Sequence, residues 1–297
     1  MKKKLTTFAE ILLTCGQEKK RIYELFQEKE AFILDLSVED VRVKVKKSLD
    51  AMKEAIKTGL KSNKKSISNQ CGDDCEKLQK YFKTQQALFG KLFEKITTYA
   101  LATIEENLRM GKIVACPTAG SCAIVPSVLV AISEELNVSE EEQINALITA
   151  GAIGAIVENK VALAGAIAGC QAECGVASAM AAAALTQVLG GKEKQIVHAV
   201  ALALKNVLGL TCDPVAGLVE IPCVKRNVFL AIHAVTASQL ALAGIESKIP
   251  PDEVVDALSQ TGQLMSVMLK ESSQAGLAKT KTALKIEQKV FKKISGV

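Results

Sequence analysis

The chain contains no tryptophan, and aromatic residues make up only 4% of it. A core with few large rings has to be built mainly from Ala, Val, Leu and Ile, and side chains that small suit helices packed closely together. Histidine is nearly absent too, with only His198 and His233 present. That excludes a His-rich zinc site and leaves a Ser-His-Asp or Cys-His triad almost without candidates. His198 lies in a helical run at 196–200 and reads as a hydrogen-bonded core or pocket residue, and His233 as an ordinary helix residue. Strand patterns with hairpin turns are scarce, which predicts an all-α fold. There is no G-x-x-x-x-G-K-[ST] and no G-x-G-x-x-G after a strand, so nucleotide binding has no support. No internal period signals a repeat array. No stretch of about 20 strongly apolar residues appears. The nearest approach, 161–190, is interrupted by Glu173, and Ala and Gly outnumber Leu, Ile and Phe in it. It reads as buried helices rather than a membrane span.

Charge of one sign is also in short supply. The excess of 37 Lys and Arg over 32 Asp and Glu gives a net +5. Much of it sits in Lys2-Lys3-Lys4, at 61–65 and at 279–293. No aromatics interleave these runs, so they read as solvated surface and not as a nucleic-acid site. The first five residues do not resemble a signal peptide, and the cysteine count is odd, at nine. Both argue against a secreted disulfide scaffold and for a reducing cytoplasm, where a Cys-rich chain is more often metal-binding or redox-active.

What is present reads as consecutive helices. Residues 5–35 form one or two short ones. Ser37 with Asp40 three residues on is a helix-capping pattern, and Val38, Val41, Val45, Leu49, Met52, Ile56 and Leu60 then recur at helical spacing. Residues 61–72 are polar and unpatterned, so a loop. Cys71 and Cys75 give only a weak zinc signal, lacking a second pair or a nearby His. Helical patterning returns over 76–110. Composition then turns rich in Ala, Gly, Val, Leu and Ile, so the chain divides into an N-terminal helical region, 1–111, and a second helical region, 112–297. The two are read as one continuous catalytic domain. Cys116 to Cys122 is a loop. Ser139 with Glu142 caps a helix reaching about Val157. Further helices are expected up to Gly190-Gly191, over 193–208, over 226–244 and from Pro250-Pro251-Asp252, with Pro in the first turn. A basic surface helix is expected from Ala275.

The chemistry available is that of thiolates and polar loops. Cys170 follows Gly169, Cys212 precedes Asp213-Pro214, and Cys223 follows Pro222. Iron–sulfur clusters take thiolates presented from turns. Three such cysteines would leave the fourth iron open as a Lewis acid. The other reading of the same residues is small buried hydrophobes, which is expected for most of the nine.

Three stretches carry a resemblance: Pro117-Thr118-Ala119-Gly120-Ser121-Cys122, Gly169-Cys170-Gln171-Ala172-Glu173, and the block from Asn206 to Asn227 containing Cys212-Asp213-Pro214 and Ile221-Pro222-Cys223. Together they resemble the α subunit of iron–sulfur-dependent L-serine dehydratase, closely over about 105–270 and more loosely over the first hundred residues. The resemblance implies a [4Fe–4S] cluster on Cys170, Cys212 and Cys223 and no pyridoxal phosphate. The implied reaction is L-serine to pyruvate and ammonia, amino-acid degradation that feeds gluconeogenesis. Thr118, Ala119, Gly120 and Ser121 match a substrate-pocket loop, with Asn159, Lys160 and Gln171 as weaker substrate-binding candidates. The α-proton base is not identified. The implied partner is a separate β subunit, because single-chain members carry a second domain. Cys116, Cys174, Ala164 before Gly165, and the segment 276–282 depart from the usual pattern and bear on substrate choice and rate. Alternatives are a related iron–sulfur lyase acting on another small hydroxy- or thiol-amino acid, a non-catalytic iron–sulfur redox or iron sensor, and a helical structural subunit without a cluster.

Overall fold

The computed structural model describes residues 5–295, with side chains through Lys292. The Lys2-Lys3-Lys4 run and the leader reading lie mostly outside the described residues, of which only Leu5 is included. Among these residues there are thirteen α-helices and no named strand, so the expectation of an all-α fold holds. The first helices are α1 (Phe8–Glu18), α2 (Ile22–Leu34) and α3 (Val38–Lys61). Ser37 accepts from the Asp40 N–H while Asp40 reaches back to the Ser37 backbone, so the predicted capping box is formed. The buried face of α3 carries Val41, Leu49, Met52 and Ile56. The predicted 76–110 stretch is two helices, α4 (Asp74–Thr84) and α5 (Gly90–Leu108), broken at 85–89.

The remaining helices follow in order: α6 (Ile124–Leu136), α7 (Glu140–Glu158), the single turn α8 (Gly165–Ala168), α9 (Val176–Val188), α10 (Glu193–Lys205), α11 (Cys223–Leu242), α12 (Pro251–Leu264) and α13 (Lys281–Ser295). Helix α9 is the axis of the molecule and packs against α6, α7, α10 and α11. Its six alanines, with Val176, Met180 and Leu185, are buried on every side. Only small side chains let four neighbours approach one helix at once, which is the packing that the lack of aromatics foretold. Helix α5 joins the two compositional regions, resting on α3 and α4 on one side and on α6 and α11 on the other. One stretch, Ala119–Leu136, is apolar and long enough to cross a membrane, but 78% of it is buried inside the fold.

Three expectations shift. Helix α10 stops at Lys205 and not at 208, because Asn206 turns back to bond the Leu202 carbonyl at 2.8 Å. Helix α11 begins at Cys223, so this cysteine is the first residue of a helix instead of the last of a loop. The C-terminal helix starts at Lys281, and its apolar side, with Ala283 and Val290 buried, rests on the short turn Val215–Gly217.

Candidate functional site

Four irregular segments converge beside the N-terminal end of α9. The first is the loop from Cys116 to Cys122, closed by a 3-10 turn over Ala119–Ser121. The Ser121 hydroxyl bonds the Cys116 carbonyl at 3.1 Å and lies 3.1 Å from the Thr118 hydroxyl. Two asparagines fix the loop from outside. Asn107 donates to the Ala119 carbonyl at 3.0 Å. Asn227 donates to the Gly120 carbonyl at 2.8 Å and accepts from the Ala123 N–H at 3.2 Å.

The second segment runs from Gly165 to Gly175, and its last five residues form a single π-helical turn, Gln171–Gly175. This turn places Cys170, Glu173 and Cys174 on one face, with their ligand atoms within 4.8 Å of one another. The neighbouring Cys174 thiol holds the Cys170 thiol below its ordinary value, with Arg226 acting in the same sense. The same interaction, with burial, pushes the Cys174 thiol well up. Thr118 donates its hydroxyl to the Glu173 carboxylate. Burial pushes the Glu173 carboxyl up, although Thr118 opposes this, and the charge of Glu271 adds to the rise.

The third segment, 210–222, carries Cys212, and Cys223 follows at the start of α11. It is clasped by the fourth, a strap over 265–280. Cys212 N–H donates to Leu269 O at 2.8 Å and Glu271 N–H donates to Cys212 O at 2.6 Å, an isolated parallel bridge. Asp213 takes the Leu277 N–H at 2.7 Å and the Arg226 guanidinium at 2.8 Å. Arg226 also bonds the Thr211 carbonyl at 2.8 Å. Every pair among Cys170, Cys212 and Cys223 interacts electrostatically. Burial first, and then the charges of Cys170 and Glu173, raises both Cys212 and Cys223, the latter to about 12. All nine cysteines are free and buried.

Two glycines leave room between these groups. A Cβ at Gly165 would meet Cys212 Sγ and Glu173 Oε2, each at 2.9 Å, and one at Gly120 would meet Glu173 Oε1 at 2.5 Å. The donor set suits an iron–sulfur cluster: three thiols from three segments, close enough to feel one another, beside a glycine cradle and the half-buried Arg226. Metal binding would displace the protons that burial holds on Cys212 and Cys223. Helix α11 also points its N-terminal dipole at Cys223, which favours a thiolate there.

The structure therefore brings Thr118, Ala119, Gly120 and Ser121 together with the cysteines. Gln171 is buried at the same place, but its amide is engaged elsewhere, donating to Leu258 O at 3.1 Å and accepting from the Gly209 N–H at 2.9 Å. Asn159 and Lys160 are exposed. Asn159 bonds the Ala155 and Ile156 carbonyls, and Lys160 pairs with Asp256 at 2.6 Å, so neither shares a partner with Thr118, Glu173 or the three cysteines. Cys71 and Cys75 are buried, with the Cys75 thiol near Thr98 O at 3.7 Å. Sequence reasoning passed over Glu173, Arg226 and Asn227. The signal for Glu173 was in view, since it is the one acid in the apolar 161–190 run. Asn227 lies one turn after Cys223 and bonds its carbonyl at 3.0 Å.

Comparison with known proteins gives a consistent result. The family described as "Serine dehydratase alpha chain" matches residues 17–278. The chain is similar to the "Probable L-serine dehydratase, alpha chain" of Bacillus subtilis, 44% identical over 92% of this chain and 94% of that one. It is similar to the "L-serine dehydratase, alpha chain" of Peptoniphilus asaccharolyticus, 39% identical over 97% and 99%. It is also similar to the "L-serine dehydratase" of Helicobacter pylori, 46% identical over 192 residues, which are 64% of this chain but 42% of that protein.

Proposed function

We propose, from the premise that this chain belongs to the serine dehydratase alpha chain family, that it is the cluster-bearing subunit of an L-serine ammonia-lyase making pyruvate and ammonia. The observation that carries this is the meeting of the Cys170, Cys212 and Cys223 thiols with the Thr118–Glu173 pair across a gap kept open by Gly120 and Gly165. Cys170, Cys212 and Cys223 would hold a [4Fe–4S] cluster. Bound there, the cluster would supply Lewis-acid chemistry for departure of the β-hydroxyl of serine. The chain does the rest. The turn of Thr118, Ala119, Gly120 and Ser121 offers its backbone N–H groups to the substrate carboxylate, while the Thr118 hydroxyl stays on Glu173 and the Ser121 hydroxyl on the Cys116 carbonyl. Glu173, half-buried and with a raised affinity for its proton, exchanges a proton with the substrate at Oε2, the oxygen facing Gly165. Arg226 and Asp213 keep the Cys212 segment against α11.

A separate β chain is the partner in this reading. The Helicobacter relative is matched over less than half its length, and an equivalent of the remainder would come from that chain. Exposed apolar side chains on the segments flanking the cysteines support a seat for it: Ile167 at 59%, Leu264 at 86% and Val267 at 73%. Regions 1–111 and 112–297 act as one catalytic unit, braced through α5. Nine free thiols suit a reducing cytoplasm, and the product feeds gluconeogenesis. The test is pyruvate formation from L-serine by anaerobic protein with its β chain. Turnover that is lost in Cys170→Ala supports the reading. A cluster-loaded wild type without turnover on serine refutes it.

A further inference from the structure

We propose that Glu220, together with Ser66 and Ser68, is a positioning network that fixes Cys223 for its cluster, so that the N-terminal region governs how firmly the cluster is held. The proposal rests on the reading of Cys223 as a cluster ligand.

Glu220 is 5% exposed. Its carboxylate accepts from the Ser66 hydroxyl at 2.8 Å and from the Ser68 hydroxyl, across more than 150 residues of sequence. Both serines are buried, and among the described residues no salt bridge reaches Glu220. A carboxylate withdrawn from water without a cation is costly and persists where its geometry is used. Its place shows the use. Glu220 lies three residues before Cys223, and its carbonyl accepts the Val224 N–H at 3.1 Å, which opens α11. Its own N–H bonds Leu218 O at 2.7 Å, and Val215 N–H bonds Ile221 O at 2.9 Å, so the turn before Cys223 is closed on itself.

The serines are themselves held. Ser66 N–H bonds Cys71 O at 2.9 Å, Cys71 N–H bonds the Ser66 hydroxyl at 3.3 Å, and Gln70 N–H bonds the Ser68 hydroxyl at 3.0 Å. Arg109 clamps the loop from behind through Lys64 O at 2.8 Å and Gly72 O at 2.6 Å, and pairs with buried Glu105 at 3.1 Å. A second tie reaches the far side of the cysteine, where Lys225 pairs with Asp74. The N-terminal region thus grips the chain on both sides of Cys223. A loop of plain polar composition has its order supplied by this task.

The test compares wild type with Glu220→Ala, Glu220→Gln and the double variant Ser66→Ala with Ser68→Ala. In metal-free protein, iodoacetamide labelling is followed at Cys223 and at Cys15, a buried thiol of α1. In the cluster-loaded complex with the β chain, release of iron to a chelator is timed. Glu220→Ala and the double variant should label Cys223 at least about tenfold faster while Cys15 is unchanged, the shift expected for two lost buried hydrogen bonds. Iron release should accelerate by a similar factor. Glu220→Gln, whose amide oxygen still accepts, should fall between. Equal acceleration at both cysteines, or none at Cys223, overturns the proposal. If Glu220→Ala does not fold, the serine variants carry the same comparison. If wild type never holds a cluster, the ligand reading fails while the labelling still reports on the network.

Discussion

At the scale of single residues, the site is a set of groups that burial would make inert but for their neighbours. A lone buried thiol is a poor ligand because its proton is held tightly. Cys170 escapes this through its neighbour Cys174. We expect Cys170→Ala to remove the cluster altogether, whereas Cys174→Ala retains it but loads more slowly as pH is lowered, since Cys170 then loses its more acidic thiol. Iron content against loading pH measures both. Thr118→Val should remove the side-chain hydroxyl bonded to Glu173 and lower kcat by about 10- to 100-fold, the range for one hydrogen bond to a charged group, with KM changed much less. Steady-state kinetics on serine checks this. Much at this scale was legible. Cys170, Cys212, Cys223 and Thr118 stand out through their Gly and Pro neighbours and the motifs they form. Glu173 was visible only as an interruption, because a sequence shows a charge in an apolar run but not the Thr118 hydroxyl that meets it.

At the scale of elements, helices were readable where local rules decide them. The Ser37–Asp40 capping box and the α3 apolar stripe need no information from elsewhere. The stretch at 61–72 was readable as a loop, but its order was not, because that comes from Arg109 and Glu220, which lie far along the chain. The C-terminal helix looked like basic surface, and its seat on the Val215–Gly217 turn depends on tertiary contact alone. Two predictions belong here. Ala182 in α9 is fully buried between its neighbouring helices. Ala182→Leu should destabilise by about 1–3 kcal/mol through overpacking, seen in chemical denaturation. His198 in α10 accepts the Ser247 N–H at 3.2 Å. Burial lowers its pKa from 6.5, although Glu246 opposes this. A depressed folded value means that its contribution is complete above 6.5 and is lost as pH falls through the folded value. The stability gap between wild type and His198→Gln should therefore narrow on acidification below 6.5, measured by unfolding midpoints.

At the scale of the whole molecule, the scarcity of large rings set the architecture. An alanine-built axis, α9, allows tight helical neighbours, and the reactive segments gather where that axis begins. The composition change near 111 is real as composition, but α5 packs across it. The N-terminal region braces the turn that leads into Cys223 at the start of α11, a role that no local pattern announces. The account stands on one claim, that Cys170, Cys212 and Cys223 together hold an iron–sulfur cluster. Iron and acid-labile sulfide per chain, measured in anaerobically purified wild type and in Cys212→Ala, test it most directly. The account predicts about four of each in wild type and their loss in the variant. A wild type that holds neither after reconstitution, or a Cys212→Ala variant that keeps both, would contradict it.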